Sequence, residues 1–227
     1  NHEFNAIAWH TPNPDPSGDF LRPHTNDVGV KNKEQHAAFL TEVEHKPRLH
    51  KQLIDWFLTL PLWLELPELR VVHACWHPES MNFLRPYLTS DLTLDLPLVE
   101  AASRKGSATH QAIETILKGP EVRLPNGRTF KQGDYFRSEA RTRWWDAAAV
   151  TFRQSAIVDP ETRRELPEDP IPAEVRPGYA SDRPVFFGHY WMTGTPHPLG
   201  PQVACVDYSV GKSGPLVAYR WDGETAL

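Results

Sequence analysis

Three short stretches hold side chains able to do chemistry. Asn1-His2-Glu3 heads the chain, His73 closes the β-branched run Leu69-Arg70-Val71-Val72-His73-Ala74-Cys75, and Gly188-His189 follows the run Pro184 to Phe187. Imidazole, amide oxygen and carboxylate are the donors that suit manganese, iron or zinc, and imidazole is also the commonest group for moving a proton near neutral pH. Each stretch taken singly has a simpler explanation. A histidine at a strand end is more often a satisfied structural residue than a ligand, and Asn-His-Glu arises by chance.

The surrounding elements decide whether these residues are presented. A short β-branched run after Pro67 reads as a buried strand that ends at Trp76 and delivers His73 near its C-terminal end. Upstream, residues 1–30 are rich in Asn, Pro, His and Asp (Thr11-Pro12-Asn13-Pro14-Asp15-Pro16-Ser17-Gly18) and read as irregular loop after a first short turn, with exposed histidines. Asn32 and Gln35 have the form of a helix cap for residues 33–45, with Ala38, Phe39 and Val43 inward, and Pro47 fits the first position of a second helix running to Thr59. The stripe Leu53, Ile54, Trp56, Phe57 and Leu60 reads as core.

Residues 97–118 show a helical pattern interrupted at Gly106, with Ser107 as a new cap and Gly119-Pro120 as a stop. Pro125-Asn126-Gly127 centres an expected hairpin over residues 121–131, and the basic, aromatic segment from Phe136 to Trp145 is placed on a helix or its edge. Residues 159–183 are proline-rich and read as loop. Three strand-like runs, 184–187, 202–209 and 215–221, close the chain; the absence of helical pattern between them suggests local antiparallel pairing.

In this order the three stretches resemble the later motifs of the calcineurin-like metallophosphoesterase superfamily, whose set runs Asp-x-His, Gly-Asp-x-x-Asp-Arg, Gly-Asn-His-Glu, a strand-end His, then Gly-His. The third survives as Asn1-His2-Glu3, the fourth as Val71-Val72-His73-Ala74-Cys75-Trp76 and the fifth as Gly188-His189-Tyr190-Trp191. The segments from Trp56 to Glu65 and from Val203 to Gly211 look like the protein-phosphatase and symmetrical dinucleotide-tetraphosphatase branches. Trp191 stands where the commonest form of the fifth motif has a second His, which also points to the protein-phosphatase-like branch.

The resemblance implies an α/β fold, an α/β/β/α sandwich formed by a single domain over residues 1–227, incomplete at its N-terminus and lacking its first strand-helix units. It implies a phosphoester or phosphoanhydride hydrolase in which two divalent ions (Mn, Fe or Zn) activate a hydroxide for in-line attack. Asn1, His73 and His189 would bind one ion, His2 would be the general acid, and Glu3 would hold its motif together.

The first two motifs would lie upstream of Asn1, leaving at most one metal site here and little activity from this chain alone. Gly133-Asp134-Tyr135 begins like the second motif and does not continue it. Phosphate needs cations, and Arg137, Arg141 and Arg143 form a basic cluster beside aromatics, of which Arg141 and Arg143 are the substrate-binding candidates. Asp207 near the same expected edge reads equally well as a structural carboxylate. The alternative is a non-catalytic binding module on a degenerate scaffold of this kind; a third arrangement has a second chain supplying missing strands, with association through an exposed sheet edge.

Bulk properties narrow the partners. A net charge of −5 over 227 residues argues against a broad electrostatic grip on nucleic acid or an anionic membrane, leaving a phosphorylated protein or nucleotide as the expected substrate. No apolar run approaches the roughly 20 residues of a membrane span, and Cys75 and Cys205, each inside an apolar run, read as reduced core residues. The expected compartment is the cytoplasm, although Asn1, with no Met before it, says nothing about export.

Overall fold

The computed structural model describes residues 1–15, 19–132 and 135–227. Part of the proline-rich run at residues 16–18, and the Gly133-Asp134 pair, lie outside the described residues. The chain is mixed α/β and divides into two compact units, Asn1–Leu62 with Glu79–Glu114, and Trp63–Pro78 with Thr115–Leu227.

The first unit is helical: α1 (His2–His10), α2 (Asn26–Glu34), α3 (Ala37–Val43), α4 (Pro47–Phe57), α5 (Pro78–Leu84, all but its first residue), α6 (Leu96–Ser103) and most of α7 (Ala108–Lys118). Helices α4 and α7 begin as their sequences suggest. Pro47 opens α4, and the Ser107 hydroxyl accepts from His110 N at 3.0 Å. The stripe on α4 is less buried than its pattern implies, since Ile54 is buried while Trp56 is largely exposed.

The expected single helix over 33–45 is two. Asn32 is not its cap; it lies inside α2, where its side-chain amide donates to the Pro23 carbonyl at 2.9 Å, and the chain breaks at Gln35-His36. Leu40 and Val43 of α3 face inward and Ala38 outward.

The opening histidines are not uniformly exposed, because they serve as ring-shaped packing. His24 lies flat between Trp9 and Phe20, with ring centroids 3.6 and 4.0 Å away. Its Nε2 sits 2.9 Å from the Trp9 carbonyl, which can only accept, so that nitrogen carries the proton. His36 is buried against Trp9 and Phe39, His50 packs on Phe39, and His10 lies beside His50.

The second unit is built on a four-stranded sheet in the order β1 (Trp63–Glu65), β2 (Arg70–Val72), β7 (Val185–Phe187), β8 (Val203–Cys205). Strand β1 is antiparallel to β2, whereas β2, β7 and β8 are mutually parallel. The expected antiparallel closure therefore does not occur: residues 188–202 are long enough to cross back without a helix, as parallel neighbours require. Residues 215–221 form no strand.

Between β2 and β7 in sequence lie two ribbons, β3 (Glu121–Arg123) with β6 (Glu139–Arg141), and β4 (Phe130–Gln132) with β5 (Tyr135–Arg137). The expected hairpin at Pro125-Asn126-Gly127 is thus a turn whose strand β3 finds a later partner, and the segment expected to be helical from Phe136 is strand. Val122, Leu124, Phe130 and Ala140 reward that pairing by burying, with Phe152, Ala156, Leu166 and Ile171, in one apolar cluster. The short helices α8 (Phe152–Ser155) and α9 (Pro160–Glu165) come next; α9 lies in the expected loop and is capped by Asp159, which accepts from the Glu161 and Thr162 amides.

Two predictions concern these cores. Gly119 ends α7 at φ 81°, and a Cβ there would fall 1.9 Å from the Tyr190 hydroxyl. Left-handed strain and overpacking together make Gly119→Ala destabilising by about 2–4 kcal/mol, measured by urea unfolding. Burial first, then Arg22, His50, His2 and His24, lower the pKa of His36 from 6.5 to about 4. The unfolded chain therefore binds a proton that the fold refuses, so stability is complete above about pH 6.5 and falls as pH drops toward 4. His36→Phe is expected to reduce that acid-side loss in urea midpoints; an unchanged loss would show that His36 does not cause it.

Candidate functional site

Three neighbouring parallel strands must end on the same edge of their sheet, which is where open α/β sheets hold their ligands. His73 lies just beyond β2, Gly188-His189 just beyond β7 and Val206-Asp207 just beyond β8. The first two segments are hydrogen-bonded directly, Gly188 N donating to the His73 carbonyl at 2.9 Å. Their imidazoles come close as a result, with ring centroids 5.2 Å apart and planes inclined by 55°.

The backbone around both histidines is clamped. Beyond His73, the Ala74 and Cys75 amides both donate to the Ile116 carbonyl of α7, each at 3.2 Å, and the Ala74 carbonyl accepts from the indole Nε1 of fully buried Trp144 at 3.0 Å. Tyr190, next to His189, is buried edge-on against Phe187 and Trp145. Burial holds the Cys75 thiol and the Tyr190 phenol well above their usual pKa and lifts the Cys205 thiol to about 11, so all three are neutral packing groups. Both cysteines are free and buried.

His189 itself adopts φ 73° and Trp191 φ 50°. Left-handed backbone at a residue with a Cβ costs on the order of 1–3 kcal/mol and persists only where other bonds hold it; such positions cluster at functional sites. Here Asp207 does the holding. One carboxylate oxygen accepts from Trp191 N at 3.3 Å, the other from Ser209 N at 3.0 Å, and the Asp207 carbonyl accepts from Met192 N at 2.9 Å. Asp207 thus acts as a structural carboxylate that shapes the turn around His189. Lys212 covers Trp191, its ammonium 3.9 Å from the ring centroid.

The His73–His189 pair offers imidazole nitrogens, the right chemistry for part of a manganese, iron or zinc shell. Among the described residues no group of three or more His, Cys, Asp or Glu is gathered to hold an ion. The pair therefore fits part of one ion's shell, and among the described residues donors for a second ion are not gathered beside it.

The two arginine candidates differ. Arg141, on β6, pairs across the ribbon with Glu121 of β3, its Nε 3.4 Å from the carboxylate. Arg143 is half-buried and its guanidinium has no ion pair among the described residues; burial and the neighbouring Arg163 depress its pKa against the pull of Asp146. Arg137 lies exposed on β5.

In the first unit, Asn1 precedes α1 and His2 and Glu3 occupy its first turn. The His2 pKa is lowered, chiefly by desolvation, then by the Asn1 ammonium; Glu3 opposes this and Arg22 adds to it. Arg22 had no signal in the sequence beyond being a lone cation among prolines. Its Nη1 donates to Asn5 Oδ1 at 3.0 Å and its Nη2 to Gln35 Oε1 at 2.6 Å.

No helix is long and apolar enough to cross a membrane among the described residues. Comparison of the chain with protein-family models, with curated proteins and with solved structures returns no match.

Proposed function

We propose that this chain carries ligand and proton-donor residues of a metal-dependent phosphoester or phosphoanhydride hydrolase, on the sandwich fold that its motifs resemble. The observation that supports this best is the imidazole pair His73–His189, held at the carboxyl edge of parallel strands by a direct backbone bond and a left-handed residue. Asp207 fixes the turn that carries His189, so the left-handed backbone holds the imidazole in one direction, as a ligand must be held.

In this proposal His73 and His189 hold one divalent ion through ring nitrogens. When bound, the ion supplies Lewis-acid polarisation of the phosphoryl oxygen and a water acidic enough to attack. His2 delivers a proton to the departing oxygen, a role taken from the resemblance that requires the negative charge of the bound phosphate to offset the lowering of its pKa. Arg143 binds phosphate oxygens; its uncommitted guanidinium makes it the stronger of the two arginine candidates, because Arg141 is already engaged by Glu121. The substrate is a phosphorylated protein or a nucleotide.

The test is hydrolysis of p-nitrophenyl phosphate with manganese, alongside measured metal content, for this chain and for one extended by its natural upstream sequence. The extended protein is expected to bind metal and turn over. His73→Ala and His189→Ala should each weaken metal binding by at least the 10–100-fold typical of losing an outer-shell partner, with a matching fall in kcat. Metal affinity unchanged in both variants would rule out their assignment as ligands.

A further inference from the structure

We propose that Arg22 is an anion-binding residue that takes a phosphate oxygen of the substrate beside His2. This rests on the hydrolase assignment above for its role in turnover, while the binding site itself stands on the first unit alone.

A surface arginine usually finds a carboxylate or water. Arg22 is half-buried and has neither an ion pair nor a carboxylate hydrogen bond among the described residues, and its two engaged donors meet the neutral amide oxygens of Asn5 and Gln35. Glu114 acts on it electrostatically, opposing the lowering by burial. A guanidinium has five N–H donors, so two are engaged; Nε is buried without a partner, and the remaining Nη hydrogens are uncommitted. Neutral acceptors fix the plane of the fork while leaving its charge uncompensated, which is the arrangement that favours an arriving anion.

The placement is built rather than incidental. The loop from Asp19 to Thr25 is fastened back onto α1: Arg22 N donates to the Ala8 carbonyl at 3.0 Å, and Leu21 N donates to the Thr11 carbonyl at 2.9 Å. Asp19 accepts from the Phe20 and His24 amides, and His24 is locked between Trp9 and Phe20. On the far side Asn32 holds the Pro23 carbonyl. The result is a rigid loop that presents Arg22 to Asn5, three residues from His2 on the same face of α1.

The electrostatic surroundings agree. Arg22 lies within range of His2 and His36, both of which its charge holds toward the neutral form. Glu3 opposes this at His2, and Glu114 acts on Arg22 itself. A phosphate dianion at the Nη hydrogens would relieve the uncompensated charge and lie beside the His2 ring that donates the proton.

The probe is inorganic phosphate, titrated calorimetrically into the metal-free 227-residue chain at fixed ionic strength, with Arg22→Ala, Arg22→Lys and Gln35→Ala compared by thermal melting for intact folding. Phosphate is expected to bind the parent. Binding should weaken by about ten-fold or more in Arg22→Ala, the usual loss for a charge-assisted hydrogen bond, and by less in Arg22→Lys, which keeps the charge without the fork. Gln35 is exposed, so Gln35→Ala is expected to stay folded and to weaken binding about two- to five-fold by freeing one side of the guanidinium. It keeps the test decisive if Arg22→Ala does not fold.

Phosphate affinity equal to the parent's in folded Arg22→Ala, or in both other variants, overturns the proposal, as does a parent that binds no phosphate. Hydrolysis of p-nitrophenyl phosphate by the extended protein separates the two readings. Arg22-dependent phosphate binding without turnover leaves the anion site standing and removes the hydrolase; turnover indifferent to Arg22 does the reverse.

Discussion

The parallel pairing of β2, β7 and β8 is the constraint on which the second unit depends. Parallel strands cannot be joined by a tight turn, so each ends in a segment that must leave the same edge, and the backbone groups just past the last ladder bonds need partners. Gly188 N finds the His73 carbonyl, Val206 N finds the Phe187 carbonyl, and the amides after His73 find Ile116. A Cβ on residue 188 would lie 3.4 Å from that of Asp207, ordinary contact at its inner limit. The close approach of these three ends, more than any single side chain, brings two imidazoles together, one of them on the left-handed residue His189.

In the first unit the corresponding economy is electrostatic. His2, His24, His50 and Arg22 all lie in range of His36, and a core could not hold all of these groups charged without carboxylates. Burial and neighbouring cationic groups lower the pKa of His2, His36 and His50, and the rings of His24, His36 and His50 serve as packing surfaces against Trp9, Phe20 and Phe39, which leaves the permanent charge of this group on Arg22. The lowered pKa of His36 and the unneutralised guanidinium are thus two aspects of the same arrangement.

How much of this was legible in the sequence depends on whether a signal was local. The strands carrying His73 and His189 were readable from their β-branched and aromatic runs, and α4 and α7 from Pro47, Ser107 and Gly119, because each signal acts within one turn of its own residue. Pairing direction was not readable: residues 188–202 contain no helical pattern, and a crossover made of coil looks like a long loop. Asn32 reads as a cap because its partner, the Pro23 carbonyl, lies earlier in the chain and out of its own helix. Pro125-Asn126-Gly127 does turn the chain, but burial of Val122 and Ala140 in a shared cluster selected a partner strand further along. Arg22 was invisible because a lone cation in a proline-rich stretch has no period, and only the folded loop shows what it faces.

The arginines show why charge counted along a sequence is a poor guide to anion binding. The chain carries net charge −5, and several of its arginines are spoken for: Arg70 and Arg183 share Glu65, Arg123 pairs with Glu139, Arg153 with Glu168 and Arg141 with Glu121. Most of these pairs are at least partly exposed and individually worth little, but each leaves its cation compensated. Arg22 and Arg143 differ in being half-buried without an ion pair among the described residues, and in a medium of lower dielectric than water their fields fall off more slowly. A protein of net negative charge can therefore still present local cationic groups to a small anion, while its overall charge disfavours extended polyanions.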